Sequence, residues 1–82
     1  QHLKSEEKAV NFSMLSYYFH EVKNYDEAEH MVISCFQEIK KNLSNNPISS
    51  TTWLLIQKSL KNIRNKKKAE ELLTDILKKI SN

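Results

Sequence analysis

Glycine is absent from this chain of 82 residues, and proline occurs once, at Pro47. Tight hairpins between strands and phosphate-cradling loops need residues at positive φ, which glycine adopts at least cost, so neither is expected. What remains is an all-α chain. Cysteine also occurs once, as Cys35, which excludes an internal disulfide, and the Asn-x-Ser spellings at Asn11 and Asn42 are too short to argue for secretion. Long apolar runs are missing: "WLLI" falls far below the roughly 18 residues that cross a bilayer. No charged-apolar-small leader opens the chain either. The expectation is a soluble, cytoplasmic protein with no membrane partner. Because the first residue is Gln, the chain is also expected to be part of something longer. A chain this short makes one domain at most, and with 39% apolar residues its core is small.

Against these absences stands a repetition. "VKNYDEAEHMV", residues 22 to 32, and "IRNKKKAEELL", residues 63 to 73, share one skeleton at an offset of 41. Each has an apolar residue, a basic residue, Asn, three further residues, Ala-Glu, and two apolar residues after one intervening position. The offset extends outward. Phe12, Leu15, Phe19 and Val22 step by 3, 4 and 3, as do Trp53, Ile56, Leu60 and Ile63, the spacing of one helix face. Ala28, Met31, Val32, Cys35, Phe36 and Ile39 are answered by Ala69, Leu72, Leu73, Ile76, Leu77 and Ile80. Four helices follow, in two antiparallel pairs: unit one over about 5–42, a linker over 43–49, and unit two over about 50–81. Asn24 and Asn65, one in each turn, are expected to take the left-handed conformation there. Pro47 ends the second helix region, and the serines after it offer a cap to the third helix.

These residues resemble the tetratricopeptide-repeat (TPR) family. Phe12, Leu15, Ser16, Phe19, Tyr25, Ala28, Val32 and Cys35 match its unit, and "NYDEAE" looks like its second-helix start. The second unit matches through Trp53, Ile56, Leu60, Ala69 and Leu73, and departs at Gln57, Lys66 and Ile76. The resemblance implies two stacked helix pairs, a fragment of a right-handed α-solenoid, with Ala28 and Ala69 small so that helices approach closely. Two units are fewer than such arrays generally need, so self-association or further repeats are expected, with an uncovered apolar edge around Ile76, Leu77 and Ile80.

The residue types give little support to chemistry. His20 and Cys35 are the one combination of base and nucleophile to consider, but Cys35 falls on an apolar stripe and reads as an inert core thiol. His2, His20 and His30 lack metal-ligand spacing, and no cofactor motif is present. Asp26, Glu27 and Glu29 begin a helix, where they meet the positive end of its dipole. No catalytic residue, metal or cofactor is expected.

Charge is more informative. Residues 1–41 carry five Lys against seven Asp and Glu, and residues 42–82 carry eight Lys and Arg against three, giving −2 and +5. Lys58, Lys61, Arg64, Lys66, Lys67 and Lys68 gather around the second turn. Arg64, Lys66, Lys67 and Lys68 read as a solvated rim that steers an acidic partner. The alternative is a nucleic-acid-binding helical domain using the basic stretch from Lys58 to Lys68, although base-stacking aromatics are missing there. By helical spacing and the implied stacking, Val10, Ser13, Tyr17 and His20 line an inner face together with Thr51, Leu54, Lys58 and Lys61. Such a face suits a protein or peptide ligand with apolar and acidic side chains. The carboxylate clamp of some tetratricopeptide proteins needs a Lys and Asn pair; Ser13, Tyr17 and Leu55 stand in its place. The Lys- and Asn-rich composition and the repeat likeness together resemble the C-terminal repeats of peptide-responsive bacterial regulators.

Overall fold

The computed structural model describes residues 3–43 and 47–81, so positions 44 to 46 of the expected linker and the expected helix end at Asn82 lie outside the described residues. Four helices make up the fold: α1 (Leu3–Glu21), α2 (Tyr25–Leu43), α3 (Ser50–Leu60) and α4 (Lys66–Ser81). Among the described residues there is no strand.

The turn between α1 and α2 works differently from the expected one. Lys23, not Asn24, has positive φ, at 66°. The Lys23 N–H donates to the His20 carbonyl at 3.0 Å and the Asn24 N–H to the Phe19 carbonyl at 2.8 Å, which closes α1 with a Schellman motif. Asn24 then opens α2, its Oδ1 accepting from the Glu27 N–H at 3.4 Å. Asn65 opens α4 in the same way, accepting from the Lys68 N–H at 3.2 Å. Both asparagines are therefore N-caps, a role their short acceptor side chains fill as readily as the left-handed one. Ser49 caps α3, its Oγ accepting from the Thr52 N–H at 3.2 Å.

α2 is the central helix. Ala28, Val32, Cys35, Phe36 and Ile39 are all buried, and α1, α3 and α4 each pack against it. α1 and α2 come close along their length, as an alanine with no exposure at Ala28 and a buried Ser16 permit. α3 and α4 approach each other little at the backbone. Ala69 is only partly buried, so the close approach expected there is confined to the first pair. α4 is attached instead through Ile76, fully buried in the common core, and through an ion pair between Lys40 of α2 and Asp75.

Two expected core positions are exposed, and one expected edge residue is not. Leu15 and Val22 face solvent, because the buried strip of α1 runs through Ala9, Ser13 and Ser16 and carries Phe12 and Phe19 only on its flank. The large apolar residues of α1 lie around most of its circumference, so 3.6-residue spacing alone does not choose among them. Ile76 is buried, which leaves Leu77 and Ile80 as the exposed part of the α4 edge. No described helix is long and apolar enough to cross a membrane.

Candidate functional site

α1 and α3 run parallel, as their hydrogen bonds show. Ser13 Oγ and Ser59 Oγ share a bond of 2.7 Å, and Asn62 Nδ2 donates to Ser16 Oγ at 2.9 Å, both across 46 positions. A constant difference rather than a constant sum is the mark of parallel helices. Ser16 Oγ in turn donates to the Ser13 carbonyl at 2.6 Å, and Ser59 Oγ lies 3.8 Å from Cys35 Sγ on α2. A polar seam thus joins α3 to the first hairpin, and no fully buried side-chain nitrogen or oxygen among the described residues is left without a partner.

Above this seam lies an open groove of about 720 Å³. One wall is α1: Val10, Met14, Tyr17 and Glu21 follow at steps of 4, 3 and 4, with Ser13 beside them and His20 at the far end. The other wall is α3 and its C-terminal turn, through Leu55, Lys58, Lys61 and Asn62. Met14 and Tyr17 are 65% and 60% exposed, a large apolar area held open to water. No acidic group of the described residues pairs with Lys58 or Lys61. The groove is therefore apolar along α1 from Val10 to Tyr17, acidic at its Glu21 end, and cationic along α3.

Of the residues expected to line an inner face, the structure brings Val10, Ser13, Tyr17, His20, Lys58 and Lys61 together. Ser13 lies deeper than expected, at 8% exposure, because its hydroxyl is held by Ser59. Leu54 and Thr51 are not in the lining. Leu54 is 54% exposed, and Leu55 stands in the lining in its place, on the side of α3 that carries Ser59 and leads to Asn62, both bonded to α1. Met14, Glu21, Leu55 and Asn62 were missed as lining residues. Met14 and Glu21 lie four residues after Val10 and Tyr17, so the helical step alone could have found them.

The turn end of the groove is organised around Tyr25. The His20 ring meets it edge-on at 5.3 Å, and the Arg64 guanidinium lies 4.5 Å from its ring centroid. Arg64 is thus engaged by a cation–π contact that ties the second turn to the first. Lys66, Lys67 and Lys68 occupy the first turn of α4, where no acidic residue offsets them and the helix dipole opposes their charge.

Burial pushes the Cys35 thiol up to about 11, with the Ser59 hydrogen bond opposing it, so the group is a thiol at neutral pH. No three His, Cys, Asp or Glu side chains among the described residues gather as a cation site. Comparison with protein-family models, curated proteins and solved structures gives no match for this chain.

Proposed function

We propose that the chain is a non-enzymatic binding module whose groove between α1 and α3 takes an extended peptide segment carrying apolar and acidic side chains. The observation that carries this reading is the two-sided groove: exposed Val10, Met14 and Tyr17 on one wall, unpaired Lys58 and Lys61 on the other. From Val10 to Glu21 the α1 wall rises through eleven residues (21 − 10), about 16 Å. About five extended residues span that length. Exposed aromatic and aliphatic anchors supply the contact energy of such a site, and the lysines select for acidic side chains and speed encounter.

The tetratricopeptide likeness supports the same reading through its own residues, with Tyr25 and Ala28 at the start of α2. On this reading the chain belongs with peptide-responsive repeat modules of cytoplasmic regulators, and Arg64, Lys66, Lys67 and Lys68 act as a rim. A neighbouring helical pair or a second copy covers the outer strip of α1, where Leu15, Tyr18 and Val22 are exposed.

The test is an array of pentapeptides that varies apolar and acidic content, probed with the wild type and with Tyr17→Ala. The expected result is selection of peptides combining an aromatic or aliphatic residue with Asp or Glu, weakened by about 1 kcal/mol or more in the variant. Binding that ignores Tyr17 but disappears when Lys66, Lys67 and Lys68 are reversed, with an oligonucleotide competing, overturns it in favour of nucleic acid.

A further inference from the structure

The surface between the two hairpins is built unlike the rest of the core. Ser13 and Ser16 of α1, Ser59 of α3 and Asn62 just beyond it are all buried, between no exposure and 8%. They hydrogen-bond to one another in two rungs, 13 with 59 and 16 with 62. Apolar side chains of similar size fill such a surface without needing partners, so their absence calls for a reason. We propose that this seam is a register lock: it permits one alignment of α3 along α1 and thereby fixes the shape of the groove whose floor it forms.

The rungs are spaced by three residues on both elements, so α3 displaced by one turn keeps the helices in contact and remakes one polar pair, but leaves the other polar groups facing carbon. In one direction Ser16 meets Ser59 while Ser13 faces Ile56 and Asn62 faces Phe19; in the other Ser13 meets Asn62 while Ser59 faces Val10. Each such register buries a hydroxyl or amide against carbon without a partner, which is penalised. Ridges of apolar side chains carry no comparable penalty, because a helix face looks much the same one turn on. A buried polar pair that selects alignment is a known use of such groups in helical assemblies. Ser13 and Asn62 also line the groove, so a slipped register moves Lys58 and Lys61 relative to Tyr17. The inference concerns the fold and stands whether or not the groove binds peptide.

The experiment places spin labels at the exposed positions Tyr18 and Gln57 and measures the distance distribution between α1 and α3. In the otherwise wild-type chain one narrow distance is expected. In the apolar-seam variant, Ser13→Ala, Ser16→Ala, Ser59→Ala and Asn62→Leu together, the helical circular dichroism should persist. The distribution should broaden or split, with a component displaced along the helix by about 5 Å, one turn. A second variant, Ser13→Ala with Ser59→Ala, keeps the Asn62–Ser16 rung and should retain the narrow distance. A single narrow distance in the apolar-seam variant overturns the lock. So does loss of its helical signal, since the seam is then needed for folding rather than for alignment.

Discussion

The two hairpins share a sequence skeleton and differ in how they hold together. α1 and α2, each of 19 residues, pack closely through Ala28 and Ser16. α3 and α4, of 11 and 16 residues, hardly approach one another and are held by what they touch in the first hairpin. Those attachments include the Ser59 and Asn62 hydrogen bonds, Ile56, Ile63 and Ile76 in the core, Arg64 on Tyr25, and the Lys40–Asp75 pair. Terminal charges differ in the same sense. α2 begins with Asp26 and Glu27 and ends with Lys40 and Lys41, as its dipole favours, whereas α4 carries lysines at both ends. A duplicated pattern thus gives one closely packed pair and one open pair that share a single core, and the groove lies where the two meet.

The comparison breaks most completely at α2. Phe36 is the largest fully buried side chain, in the helix that every other helix contacts. Phe36→Ala should cost about 3–5 kcal/mol in chemical denaturation, enough to unfold a domain of this size. A cost under about 1 kcal/mol contradicts the central role of α2.

The two alanines sharpen the contrast. Ala28→Leu should cost about 1–3 kcal/mol by overpacking the close α1–α2 contact. Ala69→Leu, at a partly buried site in the open pair, should cost clearly less. Equal costs mean that the pairs are equally tight.

Smaller effects probe how the second hairpin is attached and how its charges sit. Arg64→Ala should cost about 0.5–1 kcal/mol through the lost cation–π contact. Lys67→Glu should stabilise by about 0.3–1 kcal/mol at low salt, fading as salt is added, because a negative charge suits the α4 N-terminus. The smallest effect concerns pH. The Lys40 hydrogen bond, and then its charge, hold the Asp75 carboxyl below its usual range. A depressed carboxylate contributes stability that is present above the unfolded-state pKa and lost as pH falls through the folded one. Asp75→Asn should therefore lower stability slightly at neutral pH and leave it unchanged at low pH, where Asp75 is protonated, so that part of the acid limb flattens; the effect is small because the pair is exposed.

Much of the fold was legible because helical spacing and breakers act locally. Four helices, the α3 cap among the serines after Pro47, and the burial of Ala28 and Cys35 all follow from residues close in sequence. The docking of the hairpins was not. A repeat offset of 41 states which residues are equivalent, while the seam shows that residues 46 apart are in contact, and nothing local relates the two numbers. Helical spacing along α3 alone does not choose between adjacent positions: Lys58 and Lys61 line the groove as expected, and Leu55 lines it where Leu54 is expected. Leu15 and Val22 were misassigned because α1 has more apolar residues than its buried strip can hold. Those surplus residues are also what makes the groove wall visible.

The most direct measurement of the functional claim is amide and methyl NMR of the labelled chain, titrated with a pentapeptide carrying aromatic and acidic residues. The account predicts saturable shifts at Val10, Met14, Tyr17, Leu55, Lys58 and Lys61, with the outer strip at Leu15 and Val22 unmoved. Shifts confined to Lys66, Lys67 and Lys68, or none on the α1 wall at saturating peptide, contradict it.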